Sequence, residues 1–122
     1  MGADGLNPIE RNNCNDIFEI RKEYPHKLLF GNVCCMHTLP HGSLGDVEDE
    51  TLELIEKIGP QAGIFIGSSS EVHDAVPVAN AVKMYQTVHA YGAFPIDVDR
   101  IRARRVELRQ KGELRLRAAQ VL

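Results

Sequence analysis

Two short stretches, Lys27-Leu28-Leu29-Phe30-Gly31-Asn32-Val33 and Gly63-Ile64-Phe65-Ile66-Gly67, are almost continuously apolar. A strand with one wet face alternates apolar and polar residues, whereas an unbroken run marks a strand covered on both faces, as in a parallel sheet. Parallel neighbours need a crossover between them, and the intervening residues have helical character. Ser43 stands three residues before Asp46, a capping arrangement. Val47, Thr51, Leu54, Ile55 and Ile58 then fall on one helical face, and Gly59-Pro60 closes the helix.

The same grammar extends to both sides. Asp4 to Ile9 is a brief strand candidate. Asp16 to Glu23 reads as a short helix with Ile17 and Ile20 on one side, stopped at Tyr24 because Pro25 disfavours helical geometry before it. After the polar loop Ser68 to Val76, a helix beginning near Pro77 is predicted to bury Ala81, Met84, Tyr85 and Val88 and to end at Gly92. The order β-α-β-α-β-α predicts an α/β fold with parallel strands and right-handed crossovers. Three such strands are few. A doubly wound sheet usually has five or more, and a (β/α)8 barrel needs roughly 250 residues, so the 122 residues are expected to fall short of a complete enzyme.

Charge divides the chain. Residues 1–96 hold 6 Lys/Arg against 13 Asp/Glu, and residues 97–122 hold 8 against 4. The shift places a boundary after Ile96 and makes 97–122 a basic tail, helical or disordered, with an apolar set at Ile101, Val106, Leu108, Leu114 and Leu116. A short Arg-rich helix is more often solvated or docked on its own protein than bound to nucleic acid. No apolar run reaches the roughly 20 residues of a membrane span. Met1-Gly2-Ala3-Asp4 lacks the basic and apolar regions of a secretory signal. Three cysteines do not close a disulfide framework, so the expectation is a cytoplasmic chain with reduced thiols.

Several segments, in order, resemble the C-terminal part of the uroporphyrinogen decarboxylase family. They are Gly2-Ala3-Asp4-Gly5-Leu6-Asn7-Pro8-Ile9-Glu10, Asp16-Ile17 leading to Glu23-Tyr24-Pro25, Leu29-Phe30-Gly31-Asn32-Val33, the Gly42-Ser43 helix start, Gly63-Ile64-Phe65-Ile66-Gly67-Ser68-Ser69, Val76-Pro77 with Asn80, Ala81, Met84 and Tyr85, and Tyr91-Gly92-Ala93-Phe94-Pro95. The resemblance covers residues 1–96 and implies part of a (β/α)8 TIM barrel, about three C-terminal βα units followed by a helical tail. It implies either a cofactor-free decarboxylase of a carboxylated tetrapyrrole or a relative of the corrinoid-linked methyltransferases, which use zinc and a methyl-donor substrate. The family's Arg-rich substrate loop and His-x-Cys metal motif have no counterpart in these residues. A fragment inactive alone is therefore expected, one that self-associates or docks on a complementary chain.

Chemistry in such barrels sits at the C-terminal ends of the strands. The first loop there holds Asn7 and Glu10, and the resemblance makes Glu10 a carboxylate facing the pocket, for substrate orientation or proton transfer. The plainer alternative is a capping or salt-bridging acid. The second holds Asn32 with Cys34, Cys35 and His37. Thiolate and imidazole suit zinc, but adjacent cysteines on an extended segment point to opposite faces, so Cys34 and His37 are weak metal candidates. Relatives often have Asp where Cys34 stands. The third holds Ser68, Ser69, Ser70 and His73, which fit either a carboxylate or phosphate ligand or local serine turns. In the resemblance Ser70 occupies the position of the decarboxylase histidine and the methyltransferase cysteine, which argues against a zinc methyltransferase of the usual kind and weakens a strict decarboxylase assignment. His73 is a candidate replacement for that histidine.

Overall fold

The structure, a computed structural model, describes residues 4–9 and 16–117. It is a mixed α/β fold: β1 (Gly5–Ile9), α1 (Ile17–Glu23), β2 (Leu28–Val33), α2 (Thr38–His41), α3 (Leu44–Lys57), β3 (Ile64–Ser68), α4 (Val78–Tyr91) and α5 (Val98–Gln110). The strands form one parallel sheet in the order β1-β2-β3. Leu29 pairs with Ile64 and Val33 with Ser68, and the β1–β2 register slips between Leu6 and Ile9. Chain order therefore equals spatial order, and the C-terminal ends of all three strands lie at one end of the sheet.

Local signals explain the helix boundaries. Asp16 accepts the Phe18 amide at 2.9 Å to start α1. In α3 the Ser43 hydroxyl accepts from the Asp46 amide at 3.0 Å while the Asp46 carboxylate accepts from the Ser43 amide at 2.9 Å, a complete capping box. The short α2 turn after β2 is an element that the sequence patterns did not indicate.

One core lies between the sheet and helices α1, α3 and α4, built on Leu29, Val33, Leu39, Val47, Leu54 and Met84. A second joins Leu52 and Ile55 of α3 to Ile101, Leu108 and Leu114. The predicted face of α3 is buried throughout. On α4 the prediction is corrected at Tyr85, which is 60% exposed, while Asn80, Met84 and Thr87 turn inward. Asn80 sets that rotation, because its side-chain amide donates to the carbonyls of Leu39 (2.7 Å) and Gly42 (3.1 Å). Val106 and Leu116 are likewise exposed, leaving three of the five apolar tail positions in the core.

The opposite sheet face has no covering helix among the described residues. Phe30 and Phe65, paired across β2 and β3, stack with centroids 4.6 Å apart at 6°, and Phe65 and Leu28 remain 57% and 41% exposed. On α4, Val78, Val82 and Tyr85 form an exposed stripe at helical spacing.

Beyond Tyr91 the chain returns across α3. Asp97 caps α5 by accepting the Arg100 amide at 3.0 Å. Gly112, at φ +68, reverses the chain so that residues 113–117 lie on the first turns of α3. Gly45 permits this approach, since a Cβ there would overlap the Glu113 carbonyl. Asp46 then accepts amides from Arg115, Leu116 and Arg117 at 2.9–3.1 Å, besides that of Ser43. Arg117, 5% exposed, meets Asp49 at 2.7 Å, Glu50 at 3.2 Å and Glu53 at 3.3 Å. Arg105 meets Asp49, Glu53 and Glu56, and Arg104 meets Glu48.

Removing one member of a buried pair strands the other charge, so Arg117→Ala is expected to cost about 3–5 kcal/mol. Arg102→Ala, at an exposed pair with Glu56, is expected to cost under about 1 kcal/mol. Urea unfolding of the two variants checks the contrast. Burial opposes the charge of Asp46, but the amides of Leu116, Ser43, Arg117 and Arg115 outweigh it and hold its carboxyl below the ordinary aspartate value. A depressed folded pKa contributes stability above the unfolded value of about 3.9 and loses it as pH falls through the folded one. Acid titration of stability should therefore be shallower below about pH 4 in Asp46→Asn than in the parent.

Candidate functional site

The rim at the C-terminal ends of β1, β2 and β3 carries most of the sequence candidates that lie among the described residues, but it uses several of them to hold itself together. At the end of β2 two successive residues adopt left-handed backbone, Gly31 at φ +96 and Asn32 at φ +92. A Cβ at Gly31 would sit 3.0 Å from the Ser68 carbonyl, so only glycine allows β3 this close. For Asn32 the conformation costs on the order of 1 kcal/mol or more. Its buried amide donates to the Ile9 carbonyl at 3.1 Å and ties the ends of β1 and β2 together.

Ser69 and His73 both serve the Cys35 peptide. The Ser69 hydroxyl accepts the Cys35 amide at 3.1 Å and reaches its sulfur at 3.3 Å, while the Ser69 amide donates to the Val33 carbonyl at 2.7 Å. His73 Nε2 lies 2.9 Å from the Cys35 carbonyl and Nδ1 lies 3.3 Å from the Ala75 amide. These partners are consistent with a neutral ring donating through Nε2 and accepting through Nδ1. Ser68 accepts the Ser70 amide at 3.4 Å, a local serine turn.

That leaves Asn7 and Ser70 exposed and Ser68 half-buried on the rim. Cys34 and Cys35 are buried, and His37 is exposed. Cys34 and His37 therefore do not share an environment, and among the described residues no group of three or more His, Cys, Asp or Glu is placed to hold a metal ion. Glu10 and Cys14 lie outside the described residues.

The carboxylate that the structure does bring to this end is Glu50. Its Oε2 accepts the Cys34 amide at 2.9 Å, and its Oε1 accepts from the Thr38 hydroxyl at 3.4 Å and from Arg117 at 3.2 Å. Glu50 is almost wholly enclosed. Sequence reasoning missed it because an acid outside the apolar stripe of an amphipathic helix is ordinarily solvated. The available signal was charge complementarity between Glu48-Asp49-Glu50 and the Arg-rich segment from residue 97.

The rim can thus present a carboxamide, hydroxyls and turn amides to a ligand, above two shielded thiols. No helix among the described residues is long and apolar enough to cross a membrane. No family model, curated protein or solved structure matches the chain.

Ser69→Ala removes the acceptor for a buried amide and is expected to cost about 1–3 kcal/mol. It should also raise the rate of Cys35 alkylation, read residue by residue by mass spectrometry. Ser70→Ala, on the exposed turn, is expected to change neither quantity.

Proposed function

We propose that these βα units are an arc of a uroporphyrinogen decarboxylase-type (β/α)8 barrel whose rim binds a carboxylated small molecule, a tetrapyrrole in the leading reading. The observation that carries this is the parallel sheet in chain order. It sets the three loops that the resemblance marks as pocket-forming side by side, at the end where barrel enzymes keep their chemistry.

Two unpartnered surfaces support the arc. In a closed barrel the face bearing Leu28, Phe30 and Phe65 would line the interior, and the stripe Val78, Val82 and Tyr85 of α4 would meet a neighbouring helix. The remaining strands would come from more of the same polypeptide or from a second chain. In this reading Asn7 and Ser70 contact the ligand directly. Asn32, Ser69 and His73 shape the loops beneath it, and Glu10 supplies the acid for proton transfer.

The stacked pair of half-buried Phe30 and exposed Phe65 also favours a second reading, a non-catalytic unit that self-associates through its sheet face. A methyltransferase-like role with zinc and a corrinoid partner has less support, because Ser70 stands where those relatives have cysteine.

Binding of a fluorescent porphyrin carrying four carboxylates tests the leading reading. Saturable binding is expected, weakened about tenfold or more when Asn7→Asp and Ser70→Asp add like charge to the rim. Absence of saturable binding, or binding indifferent to both substitutions, would overturn it. Sedimentation of Phe65→Lys beside the parent reads the self-association alternative in the same series.

A further inference from the structure

Of the two outer strands, β3 has the less protected edge. The Leu29 amide donates to the Gly63 carbonyl at 2.8 Å and the Ser69 amide to the Val33 carbonyl at 2.7 Å, with an unbroken register between them. Bonding residues alternate along a parallel strand, so residues 63, 65, 67 and 69 face β2. The backbone groups of Ile64, Ile66 and Ser68 therefore point outward from the sheet edge, and nothing among the described residues pairs with them. Proteins ordinarily protect such an edge with lysine, proline or a bulge. On the other outer strand, β1 has Pro8, which lacks an amide proton, and a register slip between Leu6 and Ile9. β3 has neither, and residues 58–70 contain no charged side chain.

Helix α4 turns an apolar stripe toward the same side. Asn80, Met84 and Thr87 are its buried residues, and Lys83 beside them pairs with Glu48 of α3 at 3.1 Å, so this side faces α3. Val88 faces β3, since it lines with Ile64, Ile66 and Phe94 a cavity of about 140 Å³ between helix and strand. At about 100° per residue, Val78, Val82 and Tyr85 lie opposite the side that meets α3 and about a quarter turn from the side that meets β3. The stripe therefore looks sideways, past the unpaired edge. Val78, Val82, Tyr85 and Phe94 are between 43 and 78% exposed. Lys83 is the only Lys, Arg, Asp or Glu in residues 75–96, and its ammonium is held by Glu48, so no charge interrupts this surface.

We propose that the 122-residue chain forms a two-fold dimer in which β3 pairs antiparallel with β3 of a second copy and the two α4 stripes pack against each other. Identical strands related by a two-fold axis run antiparallel, and an axis perpendicular to the sheet keeps both α4 helices on one face. One operation thus supplies partners for the backbone of Ile64, Ile66 and Ser68 and covers Val78, Val82 and Tyr85. A head-to-tail stack would instead need the irregular β1 edge. A buried aromatic side chain removes about 150–250 Å² from water. Covering Tyr85, Phe94, the two valines and the strand edge on both copies then amounts to roughly 1,000 Å², the least that a specific interface needs. The contact uses the sheet edge and not the open face bearing Phe65. A barrel would give this edge to a further strand, so the dimer belongs to this chain by itself, and its failure would leave ligand binding at the rim untouched.

Sedimentation equilibrium of the 122-residue chain from about 1 μM to 1 mM should show a single monomer–dimer equilibrium and no larger species. Hydrogen exchange locates the contact. The amides of Ile64 and Ile66 should slow with rising concentration several-fold more than those of Phe65 and Gly67, which already lie in the ladder with β2. Val82→Lys, at an exposed position, should raise the dimer Kd about tenfold or more by bringing two ammonium groups together, with an unchanged circular dichroism spectrum. Leu28→Lys, on the open sheet face, should leave the Kd as it is. A chain that stays monomeric throughout the range would overturn the proposal, and so would a dimer whose Ile64 and Ile66 amides gain no protection. Association lost in Leu28→Lys but kept in Val82→Lys would move the contact to the sheet face and overturn it equally. Open-ended oligomers would do the same, because a two-fold contact closes at two copies.

Discussion

A buried ionic contact between α3 and the segment that returns over it underlies the architecture. Asp46, Asp49 and Glu50 lie on the turns of α3 that the sheet leaves free, and each is nearly inaccessible to water. Left alone, three such carboxylates would repel one another and lose their hydration, a combination no small domain tolerates. They are tolerated because Arg105 and Arg117 arrive with planar, permanently charged groups and because backbone amides of residues 115–117 converge on Asp46. Desolvation works against the charge on Arg117, but Glu53, Asp49 and Glu50 together more than restore it. The basic segment is thus an internal counter-ion for an acidic helix. Arg104, Arg105 and Arg117 spend their charge on the acids of α3.

The same contact explains why α3 is enclosed on so many sides. An amphipathic helix normally shows its polar face to water. Here the apolar face meets the sheet and the polar face meets arginines. The second core, Leu52 and Ile55 against Ile101, Leu108 and Leu114, fills the space between the ion pairs. Charge and apolar contact are interleaved along one interface, so the segment gains a definite register from geometry as well as from burial. Among the described residues the sheet has no such cover on its other side.

Legibility in the sequence followed the range of the interactions involved. The Ser43–Asp46 capping box and the stop at Tyr24-Pro25 depend on residues within one turn, and both were readable. The parallel strands were readable from the unbroken apolar runs at Leu28–Val33 and Ile64–Ser68, but the cover on both faces that such runs predict is not seen among the described residues, where Leu28 and Phe65 stay exposed. The orientation of α4 was not, because Asn80 fixes it by reaching the carbonyls of Leu39 and Gly42, about 40 residues earlier. Pro40 hid the α2 turn, since it reads as a break. At the candidate site, sequence put the loops after β2 and β3 at one end of the sheet but did not distinguish exposed from loop-holding groups. Ser69 and Ser70 are neighbours of one type, and only tertiary structure commits the first to Cys35 and leaves the second in solvent.

Glu50 joins these two stories. One of its oxygens holds the Cys34 amide at the rim, and the other is shared by Thr38 and Arg117. The loop that follows β2 is therefore positioned by a carboxylate that the returning segment helps to neutralise through Arg117. A chain with residues 113–117 lifted from α3 would take the Arg117 guanidinium away from Glu50 and Asp49, which weakens the hold of Glu50 on the Cys34 amide. Rim geometry is in this way linked to a contact on the far side of α3 through one side chain and without any change in the sheet. The segment that fits the family resemblance least is then the one that sets the shape of the loop where the resemblance places its pocket.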